Sequence, residues 1–325
     1  WADMARFARS GGEANAIAVR IARAASGKSQ VAICGYHGWH DWYLAVNLGG
    51  NDALEKHLLP GLEPIGVPSN LNGLTVSFNH NDIASFNRVM GDDVGVVIME
   101  VQRSNPPTQN FLEHVRKITL EKGIVLIFDE CTSGFRETEA GLHLKYGVFP
   151  DIAMYGKALG NGYAITSLVG TRAVMEFAQT SFISSTFWTE RIGFVAANAT
   201  LRAMENERSW EKISSLGKKI KTTWEAIAQQ NKVEISISGL DAIPSFSFEH
   251  NHLASKTYLT QEMLQFGFLA SNVVFCSTAH DDATIDRYLD CLNSVFFQIG
   301  KMQDYDELVG ALKYDICNDT FKRLN

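Results

Sequence analysis

Residues 124–162 read IVLIFDECTSGFRETEAGLHLKYGVFPDIAMYGKALGNG. Two short apolar runs, Ile124 to Phe128 and Ile152 to Tyr155, each stop at a polar group: Asp129 and Glu130 after the first, Lys157 after the second. Runs this continuous do not suit a sheet with one wet face, where polar and apolar residues alternate. They suit parallel strands covered on both sides. Upstream, Val31 to Cys34 and Val94 to Met99 have the same character. Between the latter and Ile124, the segment Phe111 to Lys122 places Leu112, Val115, Ile118 and Thr119 on one helical face, so Val94 to Phe128 forms a βαβ unit. Further upstream, Glu13 to Ala25 carries Ala14, Ile17, Ala18, Ile21 and Ala25 at helical spacing, directly after Ser10-Gly11-Gly12. The expected fold class is α/β with a mostly parallel central sheet flanked by helices.

From Arg191 to Gln230 the pattern turns long and helical, with interruptions expected near Glu205 to Ser209 and at Gly217. Beyond it, Val233 to Ile237, Ser245 to Phe248 and Val273 to Cys276 alternate with helical stretches, Ser255 to Phe266 and Asp282 to Ile299. A large α/β domain over residues 1–207 and a smaller α+β domain over 208–325 are expected.

Composition narrows the function classes. The 325 residues are 46% hydrophobic and 20% charged, enough apolar sequence for a large core and too much for a disordered chain. The net charge of −7, with no run of like charges, argues against a nucleic-acid or anionic-membrane partner. No apolar stretch approaches the ~18 residues that span a bilayer, and WADMARFARSGGEAN is no signal peptide. The five cysteines are odd in number and scattered, without a C-x-x-C pair, so a reduced, cytoplasmic setting is expected. The chain opens on Trp1, and upstream residues are expected to be missing from it.

Ligands of parallel α/β sheets bind beyond the carboxyl ends of the strands, which directs attention to Glu100, Asp129, Glu130 and Lys157. Any single carboxylate there also reads as a helix cap or a surface charge, and a lysine is ordinarily solvated. Their common rim position favours a site. Ser10-Gly11-Gly12 ahead of a helix is either an anion cradle or a plain N-terminal turn. The ARAASGKS of Ala22 to Ser29 is no Walker loop, because Ala22 stands where the first glycine belongs and the segment ends a helix. No G-x-G-x-x-G follows a strand, which speaks against a dinucleotide enzyme. His37 and His40 flank Gly38-Trp39 without a third ligand, so no metal is expected.

Six ordered segments resemble the class III aminotransferases of fold type I, especially the branch of glutamate-1-semialdehyde 2,1-aminomutase. They are SGGEANAIAVRIARAASGK, CGYHGWHDW, LIFDECTSGFR, GLHLKYGVFPDIAMYGKALGNGYAITSLVG, ISSTFWTERIGFVAANATL and FCSTAHDDATIDRYLD. The resemblance implies pyridoxal 5′-phosphate (PLP) as cofactor, an amino donor and an oxo acceptor as substrates, and a homodimer. Lys157 would hold PLP as a Schiff base, and Asp129, 28 positions upstream, would pair with the ring nitrogen. Tyr36 and Cys131 would contact the two ring faces, and His37 would contact the cofactor or its substrate or hold the loop. Ser10, Gly11 and Gly12 would hold the phosphate, with Gly12 standing where the family usually has a threonine. Thr186 would reach that phosphate from the neighbouring subunit. Val101 in place of a proline, and SNVVFCS without the aminomutase's acidic residue, depart from the pattern and argue against copying glutamate 1-semialdehyde as substrate. The family also carries a substantial segment ahead of the phosphate loop. PLP-dependent racemisation or decarboxylation, and a non-catalytic scaffold on the same fold, are the alternative readings.

Overall fold

The computed structural model describes residues 1–50, 52–58, 60–108, 110–302 and 304–320. Two compact units divide the chain, Trp1–Glu207 and Arg208–Asn325.

The first unit is built on a seven-stranded sheet. Its strands are β1 (Met4–Ala8), β2 (Gln30–Cys34), β3 (Thr75–Ser77), β4 (Val94–Met99), β5 (Val125–Asp129), β6 (Ile152–Tyr155) and β7 (Thr166–Gly170), in the order β1-β7-β6-β5-β4-β2-β3. From β6 through β5, β4 and β2 to β3 every pairing is parallel. Only β7 runs the other way, antiparallel to both β6 and β1. The continuous apolar runs are explained by burial: all six residues of β4, VGVVIM, are enclosed. Each large aliphatic side chain so enclosed contributes roughly 1.5–3 kcal/mol. The helix Phe111–Glu121 completes the β4–helix–β5 unit and buries Phe111, Leu112, Val115 and Thr119. Strands β1, β3 and β7 lie outside the sequence expectation. β1 and β3 are an edge pair of short strands whose patterns are half exposed, so neither shows the buried run that marks the central strands.

Helix α1 (Gly11–Ser26) begins with a reciprocal cap: Ser10 Oγ accepts from Glu13 N, and the Glu13 carboxylate accepts from Ser10 N. Such a cap is worth about 1 kcal/mol. Gly27, in the left-handed conformation at φ 68°, ends the helix. Its buried face, with Ala14, Ile17, Ala18 and Ile21, packs on the sheet core.

In the second unit, β8 (Ile235–Leu240) and β9 (Ile243–Phe248) form an antiparallel hairpin packed with the helices Ser209–Asn231, His252–Gln265 and Asp282–Lys301. The expected strand Val273 to Cys276 is only a single bridge, Val273 to Ser245. Its N–H groups at Val274 and Cys276 bond Pro244 O and Ala242 O, so it lies along β9 without completing a ladder. The helical stretch breaks at Arg208, held at φ 49°, and not at Gly217. Gly217 sits inside the helix because a Cβ there would run into Asp241 O of the β8–β9 turn. Among the described residues no helix is long and apolar enough to cross a membrane.

Candidate active site

The carboxyl ends of β5 and β6 and the amino end of α1 open on one cavity of about 390 Å³. Strand β5 delivers Asp129 to it, and the turn after β6 delivers Lys157. Lys157 is held at φ 43°, a left-handed conformation that costs a side-chain-bearing residue roughly 1–2 kcal/mol. Strain of this kind is characteristic of functional positions. Its Nζ donates to Thr132 Oγ1 at 2.6 Å.

Asp129 is 4% exposed, and both of its oxygens are hydrogen-bonded by neighbours. Oδ1 accepts from Cys131 N at 3.0 Å, and Oδ2 accepts from Asn15 Nδ2 at 2.9 Å and meets His37 Nδ1 at 2.9 Å. The second ring nitrogen of His37 faces Cys34 O at 3.2 Å, an atom that can only accept. His37 is wholly buried and does not line the cavity; it stands behind Asp129.

Ser10, Gly11 and Gly12 line the same cavity. The first N–H groups of a helix have no intrahelical acceptor and carry the positive end of its dipole. Glu13 takes the N–H groups of Arg9 and Ser10, which leaves those of Gly11 and Gly12 facing an incoming anion. Burial works to raise the Glu13 carboxyl, yet the N–H donors of Ser10 and Arg9 outweigh it and hold the group below the ordinary range. Arg9 also lines the cavity and pairs with Glu190.

Tyr36 and Cys131 both border the cavity. Burial, followed by the nearby Asp129, pushes the Cys131 thiol up to about 12, so it is a neutral packing group at physiological pH. Glu130 turns away from the cavity. Buried completely, it binds Ser133 Oγ, Leu142 N, His143 N and His143 Nδ1, and so pins the loop that follows β5. Glu100 lines a neighbouring cavity of about 490 Å³ with His57 and Arg103. Its carboxyl is raised by burial, against the pull of Arg103. Thr186 is exposed at the start of a 3-10 turn, Thr186–Thr189, and does not border the cavity of its own chain.

Asn15 and Thr132 were not singled out from sequence. The signal for Asn15 was there: it lies among the buried positions of α1, alongside Ala14 and Ala18, and an enclosed amide calls for a polar partner. Nothing in the sequence marks Thr132, whose place depends on the path of the loop after β5.

Residues 1–282 match the class III aminotransferase family. A 3-aminobutyryl-CoA aminotransferase from Cloacimonas acidaminovorans is 32% identical over 298 residues, 89% of this chain and 67% of that protein. A glutamate-1-semialdehyde 2,1-aminomutase from Hyperthermus butylicus is 29% identical over 320 residues, 90% of this chain and 74% of its own. Among solved structures, an omega-transaminase from Sphaerobacter thermophilus superposes with a TM-score of 0.81 at 21% identity, over 93% of this chain and 75% of that one. The fold is that of the fold type I PLP enzymes. The chain belongs to the class III aminotransferases, enzymes whose cofactor is PLP.

The cavity fits that cofactor. N–H groups at the start of α1, a carboxylate and an amine line the same space, and these suit a phosphate, a ring nitrogen and an aldehyde in turn. Asn15 Oδ1 is buried without a partner at the same cavity.

Proposed function

We propose that the protein transfers an amino group between a small amine or amino acid and an oxo compound, in the manner of the aminotransferases and aminomutases it is similar to. One observation carries the reading: Lys157, Asp129 and the open amino end of α1 border a single cavity. Bound PLP supplies an aldehyde that links to amines and a ring that draws electrons from the substrate's Cα.

The roles of the chain's own groups follow. Lys157 Nζ anchors the cofactor, yields to the substrate amine, and then takes and returns the proton at the substrate Cα. For this the amine must be neutral. Asp129 Oδ1, which has one protein donor, receives the N–H of the cofactor ring. His37 and Asn15 hold the carboxylate in place. Ser10, Gly11 and Gly12 hold the phosphate, while Tyr36 and Cys131 keep water from the ring faces. In a homodimer, Thr186 serves the partner's cavity.

The test is a half-reaction. Chain loaded with PLP and given an amino donor without acceptor should convert its cofactor stoichiometrically to the pyridoxamine form, followed by absorbance. Unchanged cofactor across a panel of amines and amino acids, together with racemised or decarboxylated donor, would replace amino transfer with one of those chemistries.

A further inference from the structure

The pairing of β5 with β6 continues past the ends of the two strands. Within them Ile127, Phe128 and Asp129 lie opposite Ile152, Ala153 and Met154. Glu130 N then donates to Met154 O, which carries the ladder one residue further. A Cβ on Gly156 would stand 2.7 Å from Cys131 Sγ, so residue 131 packs against residue 156. One step on, Thr132 Oγ1 accepts from Lys157 Nζ at 2.6 Å, across the same offset of 25 positions that relates the paired strand residues. Strand register, and not merely the reach of a long side chain, brings the hydroxyl to the amine.

Both partners sit on backbone that is tied down. Cys131 N bonds Asp129 Oδ1 and Gly134 N bonds Glu130 O, which fixes the turn that carries Thr132. Asn161 N bonds Lys157 O and closes the turn that carries the lysine. Thr132 and Lys157 border the same cavity as Asp129.

The direction of the contact has a chemical consequence. When a lysine amine links to an aldehyde, its nitrogen gives its lone pair to the carbonyl carbon and gains positive charge. Both amine hydrogens then leave with the aldehyde oxygen as water, and a C=N bond remains. The lysine nitrogen carries the same charge again when a substrate amine displaces it. An N–H held by Thr132 leaves the lone pair free for the attack. A hydrogen bond from a charged donor is roughly twice as strong as a neutral one, so an acceptor already in place stabilises the charged stage more than the resting amine.

We propose that Thr132 is the acceptor that serves Lys157 Nζ as the amine joins and leaves the cofactor aldehyde. The inference rests on the reading of Lys157 as the residue that binds PLP.

The experiment uses the full chain freed of cofactor. Mixing it with PLP and following absorbance gives the rate at which the lysine links. Titration with pyridoxamine 5′-phosphate, which has an amine in place of the aldehyde and cannot link, gives the affinity of the cavity for ring and phosphate alone. Thr132→Val keeps the size and branching of the side chain without the acceptor, and Thr132→Ser keeps the hydroxyl. Thr132→Val should slow linkage by about 10-fold and leave pyridoxamine 5′-phosphate affinity unchanged, while Thr132→Ser stays within about twofold of wild type in both. A Thr132→Val rate equal to wild type, or a parallel loss of pyridoxamine 5′-phosphate affinity, would overturn the assignment and leave Thr132 a residue of the loop's structure. Wild-type chain that binds pyridoxamine 5′-phosphate but never links PLP, or binds neither, would be a different failure, that of the Lys157 or cofactor reading itself.

Discussion

His37 Nδ1 and Asp129 Oδ2 stand 2.9 Å apart, with both side chains withdrawn from solvent. His37 stands behind Asp129, which borders the cavity, so the integrity of the pair governs the carboxylate proposed to meet the cofactor ring. Removing one side of this buried hydrogen bond leaves the other short of a partner, at a cost of about 1–3 kcal/mol. His37→Ala should therefore lower stability in urea unfolding by that order. It should also slow the half-reaction by about 10- to 100-fold with little change in KM, the mark of a group acting at the chemical step.

Asn15 supports the same carboxylate from α1, through a 2.9 Å bond to Oδ2. Asn15→Leu removes that donor and adds bulk beside the cavity. PLP affinity in an absorbance titration should fall by about 10-fold or more, while secondary structure by circular dichroism stays unchanged.

The central strands and α1 were legible because burial writes itself into sequence: β4 is apolar throughout, β5 is apolar up to its closing Asp129, and Ala14, Ile17, Ala18 and Ile21 recur at helical spacing. Asp129 and Lys157 were legible because each ends such a run. Their placement in one cavity needed the strand order, which brings β5 beside β6. The edge strands β1 and β3 were not legible, being short and half exposed, nor was the inner strand β7, whose TSLVG mixes small polar residues with apolar ones. Gly217 misled for a related reason. Glycine breaks helices locally, but here a distant turn carbonyl demanded it. That leads to a stability prediction: Gly217→Ala should destabilise the protein by about 1–3 kcal/mol in urea unfolding, against the gain in helix propensity that the same change normally brings.

His57 gives a pH dependence with a definite sign. Burial first, then the positive neighbours His37, Arg103 and Lys56, depress its pKa from 6.5 to about 4. The unfolded chain thus takes up the proton before the folded one, so His57's contribution is intact above pH 6.5 and is lost as pH falls toward 4. Thermal unfolding from pH 7.5 to 4 should show wild type losing up to about 3 kcal/mol more than His57→Gln. Parallel profiles for the two proteins would contradict it.

Thr186 can be tested across subunits. Chains carrying Lys157→Ala and chains carrying Thr186→Ala, each weak or inactive alone, should form mixed dimers with one intact cavity and recover about half the wild-type activity. No recovery on mixing, with dimers verified by light scattering, would place Thr186 outside the partner's cavity.

The most direct test is chemical. Borohydride reduction of the PLP-loaded chain, followed by proteolysis and mass spectrometry, should find a phosphopyridoxyl group on the peptide that carries Lys157, and Lys157→Ala should abolish it. A modified lysine elsewhere in wild type, or an undiminished adduct in the variant, would contradict the assignment of Lys157 as the residue that binds the cofactor.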